Sequence, residues 1–512
     1  MISDWTAGYV ADISYTYGYY EHLNPLRAKL AFINSGLRFP EVKNACELGF
    51  GQGLSANIHA AASTTIWYGT DFNPTQATFA QELATDSNNQ ARLFDDSFAQ
   101  FAARTDFPDF DYIGLHGIWS WISDENRAVI VDFIDRKLKP GGVLYVSYNT
   151  QPGWAGMVPM RELLTEYCEV MGSSGMGIVN RIEGALDFSE QLFKTNPSFL
   201  QANPSIANKI NNFKKQNRQY LAHEYFNQDW LPMSFSQVAK CLAPAKLNYA
   251  CSAKYLDHIE SVNLTEEHQA FLKDIPDAMF RQTVYDFMIN QQFRTDYWVK
   301  GVRKLTPLEQ AERWRTQKVM LVQPRVDVSF KAAGAIGEVT LNEAFYGPIV
   351  DVLSDHQPQT LSQIEIALSD VKLDFFQIAQ AILILSGTGV VALVQEDVVI
   401  AQAEKITQQL NLQLMIQARS RNDMSYLASP VTGGGVNVSR MAQIFILSII
   451  QGDKYPEDWA SAAYKLLTLQ GEHINKDGQL LETPEQTLTE ITKQANLFLQ
   501  KQVPILVALR IL

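Results

Sequence analysis

Cysteine is scarce in this sequence, and its spacing argues against two classes of protein. The 512 residues include four cysteines, and no two of them form the close pairs typical of zinc sites. Four are also too few for a disulfide scaffold in a chain of this size. We therefore expect a reducing, cytoplasmic location, no bound metal, and cysteines that fill the core, namely Cys46, Cys168, Cys241 and Cys251.

Long apolar runs and an excess of positive charge are also missing. The longest apolar run near the C-terminus, residues 444–450, is far shorter than the roughly 20 residues that span a bilayer. The first residues lack the basic start and apolar stretch of a secretory signal. Because 42 Lys and Arg face 55 Asp and Glu, for a net charge of -13, we expect neither membrane insertion nor nucleic-acid binding.

The composition is that of an ordered protein with a sizeable core. Hydrophobic residues make up 46% and charged residues 19%, and the length predicts about three domains at roughly 150 residues each. The first domain is expected at 1–303, with a core at 26–155 and 231–303 around a polar helical insert at about 156–230. A winged-helix-like unit is expected at 304–400 and a helical domain at 401–512.

The first domain alternates between short apolar strands and helices. This alternation predicts an α/β fold, a Rossmann-like parallel sheet covered by helices on both faces. A helix is expected over 266–290, and the region beyond residue 306 is expected to be mainly helical, interrupted by a glycine loop at 433–435. The predicted strands cover 42–48, 65–70, 91–94, 112–115, 143–148, 247–253 and 293–300.

One motif carries chemistry: a strand that ends at Glu47 and Leu48 is followed by Gly49, Gly51 and Gly53 and then by a helix. Alternating glycines let the backbone turn sharply and let a ligand approach closely. The spacing differs from the dinucleotide pattern, and an acidic residue precedes the first glycine. A nucleoside ligand without a pyrophosphate gains less binding energy from a helix N-terminus than a dinucleotide does. An acidic residue such as Glu47 can instead interact with the ammonium group at the amino acid end of S-adenosylmethionine. The motif therefore favours S-adenosylmethionine over NAD.

Two further acids follow the next strands in order. Asp71 ends the second strand, where a carboxylate can accept both ribose hydroxyls. Asp96 follows the third strand together with Ser97 and Phe98, so its carboxylate can accept the adenine amino group while Phe98 packs on the ring. The alternative is that both acids only cap the helices that follow. That alternative would leave their placement at successive strand ends a coincidence.

Residues 40–150 resemble a class I S-adenosylmethionine-dependent methyltransferase. Three segments, 145–154, 220–225 and 286–294, resemble a narrower family that carries a methyltransferase regulatory domain. This family includes rickettsial protein-lysine methyltransferases that modify surface proteins and carry added helical and C-terminal domains. The sequence departs from those lysine enzymes after Trp154, so the resemblance implies methyl transfer and leaves the acceptor open.

The residues that could serve the acceptor lie near the predicted strand ends, in the insert and in the aromatic N-terminal segment. In-line methyl transfer requires the nucleophile to be held in place and, where needed, a proton to be removed. Tyr148 and Asn149 are the first candidates, with His116 and His223 as alternative bases. Each has a structural alternative, such as core packing or a helix-surface pair. The predicted substrate-side residues are Trp119, Tyr148, Trp154, His223, Glu224, Tyr17 and Tyr20, the last two from a run that also holds Tyr15 and Tyr19.

Three functions follow from these residues. The first is methylation of a macromolecule, with protein lysine as the acceptor. The second is O-methylation of a surface glycan or of a sugar linked to flagellin, which needs a base such as His223 or His116. The third is a cofactor-binding scaffold that regulates a partner without turnover. The sequence leaves the choice between a monomer and a homodimer open.

Overall fold

The computed structural model describes residues 16–173, 175–476, 479–481 and 483–512. Its largest element is a seven-stranded sheet, formed by β1 (Asn44–Leu48), β2 (Ile66–Thr70), β3 (Arg92–Phe94), β4 (Phe110–Leu115), β5 (Leu138–Asn149), β6 (Leu247–Ser252) and β7 (Phe293–Lys300). The strand order is β3-β2-β1-β4-β5-β7-β6. The first five strands are parallel, whereas β7 is antiparallel to both β5 and β6. The α/β fold is confirmed, with a mixed rather than wholly parallel sheet.

Helices connect these strands, and the predicted insert is helical. Around the sheet lie α1 (Pro25–Asn34), α2 (Leu54–Ala62), α3 (Pro74–Asp86), α4 (Phe98–Ala103) and α5 (Asp124–Lys137). The insert contains α6 (Val158–Val170), α7 (Ile178–Lys194), α8 (Ser198–Ala202), α9 (Ser205–Lys215) and α10 (Arg218–Tyr225). After it come α11 (Phe235–Leu242), α12 (Glu260–Asn263), α13 (Glu266–Lys273) and α14 (Ala278–Met288).

The helix predicted over 266–290 is two helices, which corrects the sequence interpretation. Pro276 lies between α13 and α14, where it cannot donate a helical hydrogen bond. Asp277 then caps α14, because its carboxylate accepts a hydrogen bond from the Phe280 amide at 2.6 Å.

The middle region contains more strand than the sequence predicted. Its elements are α15 (Pro307–Arg315), β8 (Lys318–Leu321), β9 (Lys331–Gly334), β10 (Gly337–Thr340), α16 (Glu343–Val352), β11 (Gln359–Thr360), α17 (Leu361–Ala367), α18 (Phe375–Gly387) and β12 (Val391–Val394). The unpredicted β8 is the centre of a three-stranded antiparallel sheet, β11-β8-β12. The winged-helix assignment of this region stays a prediction.

The C-terminal region is helical, as predicted, apart from short hairpins. It comprises α19 (Asp397–Ala418), β13 (Tyr426–Ser429), β14 (Gly434–Asn437), α20 (Arg440–Ile450), α21 (Pro456–Leu469), β15 (Asn475–Lys476), β16 (Gln479–Leu480), α22 (Pro484–Lys501) and α23 (Val503–Ala508). The predicted glycine loop is the turn and second strand of the antiparallel hairpin β13–β14. Within the described part of the chain, no helix is long and apolar enough to cross a bilayer.

The later regions share their hydrophobic cores with the sheet. One cluster runs from Trp67 and Tyr297 on the sheet to Trp314 and Leu385 in the middle region. A second joins Leu54 and Ile58 of α2 to the C-terminal helices. The domain boundaries proposed from the sequence therefore divide a molecule whose regions are packed together.

Helix α2 is enclosed on every side by these contacts. All nine of its residues are buried. Its C-terminal carbonyl groups meet side chains from far along the chain: Gln395 Nε2 donates to the Ala62 oxygen at 2.8 Å. Thr407 Oγ1 lies 2.9 Å from the oxygens of both Ala61 and Ala403 and can donate to one at a time. Side chains from the end of the middle region and from the C-terminal region thus act as partners for carbonyl groups at the end of a helix in the first domain.

We predict that Thr407→Val destabilises the protein by about 1 to 3 kcal/mol, because the Ala61 carbonyl would lose a buried partner. Denaturant unfolding measures this loss. The control is Thr492→Val on the exposed surface of α22, which removes a hydroxyl 2.8 Å from the Leu488 oxygen. Equal unfolding free energies for the two variants would contradict the capping role.

Candidate active site

The glycine loop connects β1 to α2 in a backbone conformation that requires glycine. Gly49, Gly51 and Gly53 have φ angles of 73°, 58° and 68°, in the left-handed region. A Cβ at Gly49 would lie 2.3 Å from Ile118 Cδ1, and one at Gly53 would lie 2.4 Å from the Ala80 methyl group. The loop is therefore fixed by its backbone and by close packing on both sides.

A cavity of about 180 Å³ opens beside this loop, at the carboxyl ends of β1, β2 and β4. Open α/β sheets bind ligands at this edge, where the strand order reverses. Many of the residues predicted to bind the cofactor line the cavity: Gly49, Gly51, Asp71, Asp96, Ser97, Phe98 and His116, together with Tyr20 from the aromatic segment. Glu47 and Gly53 do not line it, and Gly53 instead precedes α2 as its N-cap.

Two desolvated carboxyl groups lie at the start of the loop. Asp71 accepts hydrogen bonds from the amides of Gly51 at 2.8 Å and Asn73 at 3.0 Å, while burial raises its pKa to about 7. Burial, with the nearby Asp71 charge, raises the pKa of Glu47 to about 8. Glu47 Oε2 is buried and has no hydrogen-bond partner among the described residues. These acids fit a ligand that brings hydroxyl and ammonium donors, as S-adenosylmethionine does.

The residues predicted for the adenine end are held by α4. Ser97 caps this helix and exchanges hydrogen bonds with Gln100 in a capping box. Asp96 Oδ2 is 2.5 Å from Arg104 Nε, and the Arg104 guanidinium lies 4.0 Å from the centre of the Phe94 ring. Because Arg104 engages one carboxylate oxygen, Asp96 is fixed in orientation and keeps its other oxygen as an acceptor for an amino group.

His116 lines the opposite wall as a neutral imidazole. Its Nδ1 is 2.7 Å from the Tyr145 hydroxyl, and its ring stacks on Tyr20 with centroids 3.8 Å apart. Burial lowers its pKa to about 3, so the ring carries no charge near neutral pH. Next to it, the Gly117 amide donates to Ser147 Oγ at 2.8 Å, which ties this loop to β5.

Tyr148 and Asn149 lie in the interior, which corrects their assignment as acceptor-side residues. The Tyr148 side chain is fully buried, and its hydroxyl donates to Asp296 Oδ2 at 2.7 Å. Asn149 is also buried, and its backbone carbonyl accepts a hydrogen bond from the Met233 amide at 3.0 Å. The physical reason is that β7 pairs with β5 along its whole C-terminal half, so that strand end is covered.

Of the two tryptophans after β4, one lies in the core and the other lines the cavity. Trp119, the predicted substrate residue, is fully buried, whereas Trp121 lines the cavity. The sequence reasoning also missed Asn126 and Asp229, which line the cavity from α5 and from the end of the insert. No motif marks either residue, because the turn and the chain crossing that bring them there depend on tertiary packing.

The insert residues lie behind the cavity. Trp154 packs inside the insert against Trp230, with ring centroids 5.6 Å apart, and His223 is 3% exposed. Neither lines the cavity. The carbonyl of Glu224 accepts a hydrogen bond from Trp121 Nε1 at 3.2 Å, and burial raises the pKa of the Glu224 carboxyl to about 7. The insert thus contacts the cavity wall through Trp121 and contributes Asp229 to it.

The tyrosines of the aromatic N-terminal segment also have different surroundings. Tyr20 lines the cavity, but Tyr17 packs against Phe79 and under Arg421, whose guanidinium carbon lies 3.9 Å from the ring centre. Tyr17 is therefore an interdomain residue rather than a substrate residue. Tyr15 lies outside the described residues.

Comparison with known proteins agrees with this geometry. Residues 46–146 match the family described as methyltransferase domain, and residues 217–300 match the one described as predicted methyltransferase regulatory domain. An uncharacterized protein of Synechocystis sp., sll1526, is 37% identical over 99% of both chains. The chain belongs to the class I methyltransferases that carry this regulatory domain. S-adenosylmethionine is its cofactor and methyl transfer its reaction.

Two further comparisons concern rickettsial proteins. The structure of PKMT2 from Rickettsia typhi in complex with AdoHcy has a TM-score of 0.70 at 16% identity, covering 97% of this chain and 100% of that one. An uncharacterized protein of Rickettsia prowazekii, RP789, is 24% identical over 54% of this methyltransferase and 53% of its own length. The first similarity extends the shared fold across the insert, middle and C-terminal regions.

We predict that Asp71→Asn weakens the binding of S-adenosylhomocysteine at least tenfold, because a charged hydrogen bond is worth about 1.5 to 3 kcal/mol. Isothermal titration calorimetry measures the change. Asp95→Asn is the control, since Asp95 is exposed and does not line the cavity. An unchanged affinity in Asp71→Asn would remove Asp71 from the cofactor site.

Cofactor binding should also depend on pH. In the free protein, Asp71 and Glu47 are protonated below pKa values of about 7 and about 8, and the neutral carboxyl groups are weaker acceptors for ribose hydroxyls and carry no charge to attract an ammonium group. The affinity for S-adenosylhomocysteine should therefore rise as pH rises through this range. Glu47→Gln should flatten the profile, whereas the exposed control Glu41→Gln should keep it. A profile that falls with rising pH would contradict the assignment.

Proposed function

We propose that this methyltransferase modifies lysine side chains of a protein. The resemblance to rickettsial protein-lysine methyltransferases supports a protein acceptor, and the fold shared with PKMT2 agrees with it. The surroundings of the cavity support an amine over a hydroxyl group. The proposal rests on the difference in pKa between two groups that could receive a proton, His116 and Glu224.

Aromatic and acidic side chains surround the acceptor side of the cavity. Tyr20, Trp121 and Asp229 line it. Tyr220 does not line the cavity, and burial, together with the charges of Glu224 and Tyr20, raises its pKa to about 12. Aromatic faces and carboxylates stabilise an ammonium group. This combination suits the capture of a protonated lysine before its reaction.

The proton chemistry also favours an amine. A sugar hydroxyl needs a base that is strong enough to remove its proton in the transition state. His116 is a poor base because its pKa is about 3 and its Nδ1 is engaged by Tyr145. His223 lies inside the insert and does not line the cavity. A lysine needs only to lose its ammonium proton. The Glu224 carboxyl has a pKa of about 7 and exchanges protons near neutral pH; because it does not line the cavity either, on this proposal it takes the proton through water.

The reaction then requires little covalent help from the protein. When bound, S-adenosylmethionine supplies a methyl group on a positively charged sulfur. The neutral amine attacks the methyl carbon while the carbon–sulfur bond breaks and its electron pair stays on sulfur. Tyr20 and Trp121 orient the amine, and Glu224 or water takes the proton that the amine loses.

The acceptor is found by labelling. Purified enzyme and radiolabelled S-adenosylmethionine are added to a lysate of the source cells, and the labelled species are analysed by mass spectrometry. We expect methyllysine in protein. O-methylated sugars would contradict the proposal, and cofactor binding without any transfer would favour a regulatory scaffold.

For the variant test, Glu224→Gln should lower kcat/KM for the labelled protein by roughly ten- to a thousandfold, the range for loss of a proton acceptor or positioning group. The affinity for S-adenosylhomocysteine should change less than threefold. Glu166→Gln, on an exposed position of the same insert, serves as the control. Full activity of Glu224→Gln would place proton removal elsewhere.

A further inference from the structure

A short extended segment separates the cofactor cavity from the C-terminal region. We call residues 16–20 the strap. Its side chains alternate: Thr16, Gly18 and Tyr20 line the cavity, whereas Tyr17 and Tyr19 lie against the remainder of the molecule. Alternation is expected of extended backbone, in which successive side chains point to opposite sides.

The C-terminal hairpin β13–β14 holds the outer side of the strap. The Tyr19 ring lies 5.2 Å from that of Tyr426 on β13, and its hydroxyl is 3.1 Å from His59 Nε2 on α2. A Cβ at Gly434 would lie 2.3 Å from the Tyr19 hydroxyl oxygen, and one at Gly435 would lie 2.9 Å from its ring. Both positions on β14 are therefore glycine because the tyrosine occupies the space.

Backbone conformation does not explain these two glycines. Neither has a positive φ angle, in contrast to Gly433 in the turn before them. An alanine at Gly434 would be compatible with the backbone and would meet the Tyr19 hydroxyl and the Asn24 side-chain amide. Its effect would pass through those contacts rather than through backbone strain.

On the inner side of the strap, Tyr20 contacts both α2 and the cavity wall. The Tyr20 amide donates to Ser55 Oγ on α2 at 2.9 Å, and the Tyr20 ring stacks on His116 at 3.8 Å. Tyr19 and Tyr20 are consecutive, so an extended chain has no slack between them. A displacement of the Tyr19 backbone is therefore passed on to the Tyr20 amide and to the wall that its ring forms.

We propose that Tyr19, Gly434 and Gly435 are positioning residues of the cofactor site, through which the C-terminal hairpin sets the wall formed by Gly18 and Tyr20. This inference rests on the assignment of the cavity to S-adenosylmethionine. It gives the C-terminal region a role in cofactor binding that is separate from any contact with the acceptor.

The first test is Gly434→Ala. We expect the KM for S-adenosylmethionine and the Kd for S-adenosylhomocysteine to rise at least tenfold, with kcat at saturating cofactor within threefold of the original. Phe498→Leu controls for loosening of the C-terminal core, since Phe498 is 3% exposed and packs far along the chain on α22. Gly177→Ala controls for the substitution itself, because a Cβ there meets nothing within 4 Å. Both controls should leave the Kd unchanged.

The second test is rescue. Tyr19→Phe removes the hydroxyl that a Cβ at Gly434 would contact at 2.3 Å, and the nearest remaining ring atom is then 3.5 Å away, while the Asn24 side-chain nitrogen stays 2.7 Å from that Cβ. The double variant should therefore recover part of the lost affinity and bind at least threefold more tightly than Gly434→Ala. Equal Kd values for the double variant and Gly434→Ala would overturn the proposal.

Hydrogen exchange on the unaltered protein gives a test that does not depend on any variant folding. Because coupling is reciprocal, S-adenosylhomocysteine should slow exchange in residues 426–437 as well as in the strap, and should leave α22 unchanged. Cofactor binding with no protection of the hairpin would overturn the inference and leave the cofactor assignment intact. A protein that does not bind S-adenosylhomocysteine would instead overturn the assignment of the cavity.

Discussion

The rest of the structure depends on the burial of helix α2 on all sides. A helix that follows a glycine loop in an α/β sheet normally packs one face on the strands and exposes the other. Here all nine residues are buried, because the C-terminal region covers the second face, while Gln395 and Thr407 donate side-chain hydrogen bonds to the helix end. The cofactor loop is therefore anchored by contacts more than 300 residues away in sequence.

The same enclosure explains the electrostatics of the site. Water that would stabilise ionised Glu47 and Asp71 is excluded, so their pKa values rise. A carboxyl group whose pKa is raised by folding makes its full contribution to stability below its unfolded pKa, and that contribution is lost as pH rises from there through the folded pKa. For Glu47 and Asp71 the loss begins near their ordinary pKa values of 4.5 and 3.8 and ends at about 8 and about 7, so the free protein holds a site that is electrostatically costly at neutral pH and above. A cationic ligand relieves this cost, which is why the desolvated acids suit S-adenosylmethionine.

Local sequence predicted the parts of the fold and site that are continuous in the chain. The seven strands, the glycine loop, Asp71 and the Asp96–Phe98 segment follow from apolar runs and strand ends, which are local signals. The prediction that Tyr148 contacts the acceptor was wrong because β7 is antiparallel to β5 and covers its end. This pairing joins residues 148 and 294, which are far apart in the sequence. Strand β8 was not predicted for a similar reason, since its partner strands lie some 40 and 70 residues further along the chain. Asp229 reaches the cavity only because the insert folds back to it, which no local signal marks.

Burial also determines which histidine and carboxyl groups near the cavity can accept a proton near neutral pH. His116 and His59 both lie near the cofactor region, and burial lowers the pKa of each to about 3, so neither supplies a useful base. The carboxyl groups near the proposed acceptor side, Asp229 in the cavity wall and Glu224 behind it, both belong to the insert, whereas Tyr19 beside the cofactor wall packs on the C-terminal hairpin. The proposed acceptor chemistry and the proposed cofactor positioning therefore rest on two different additions to the same sheet, because the insert and the C-terminal hairpin reach the cavity region through different residues.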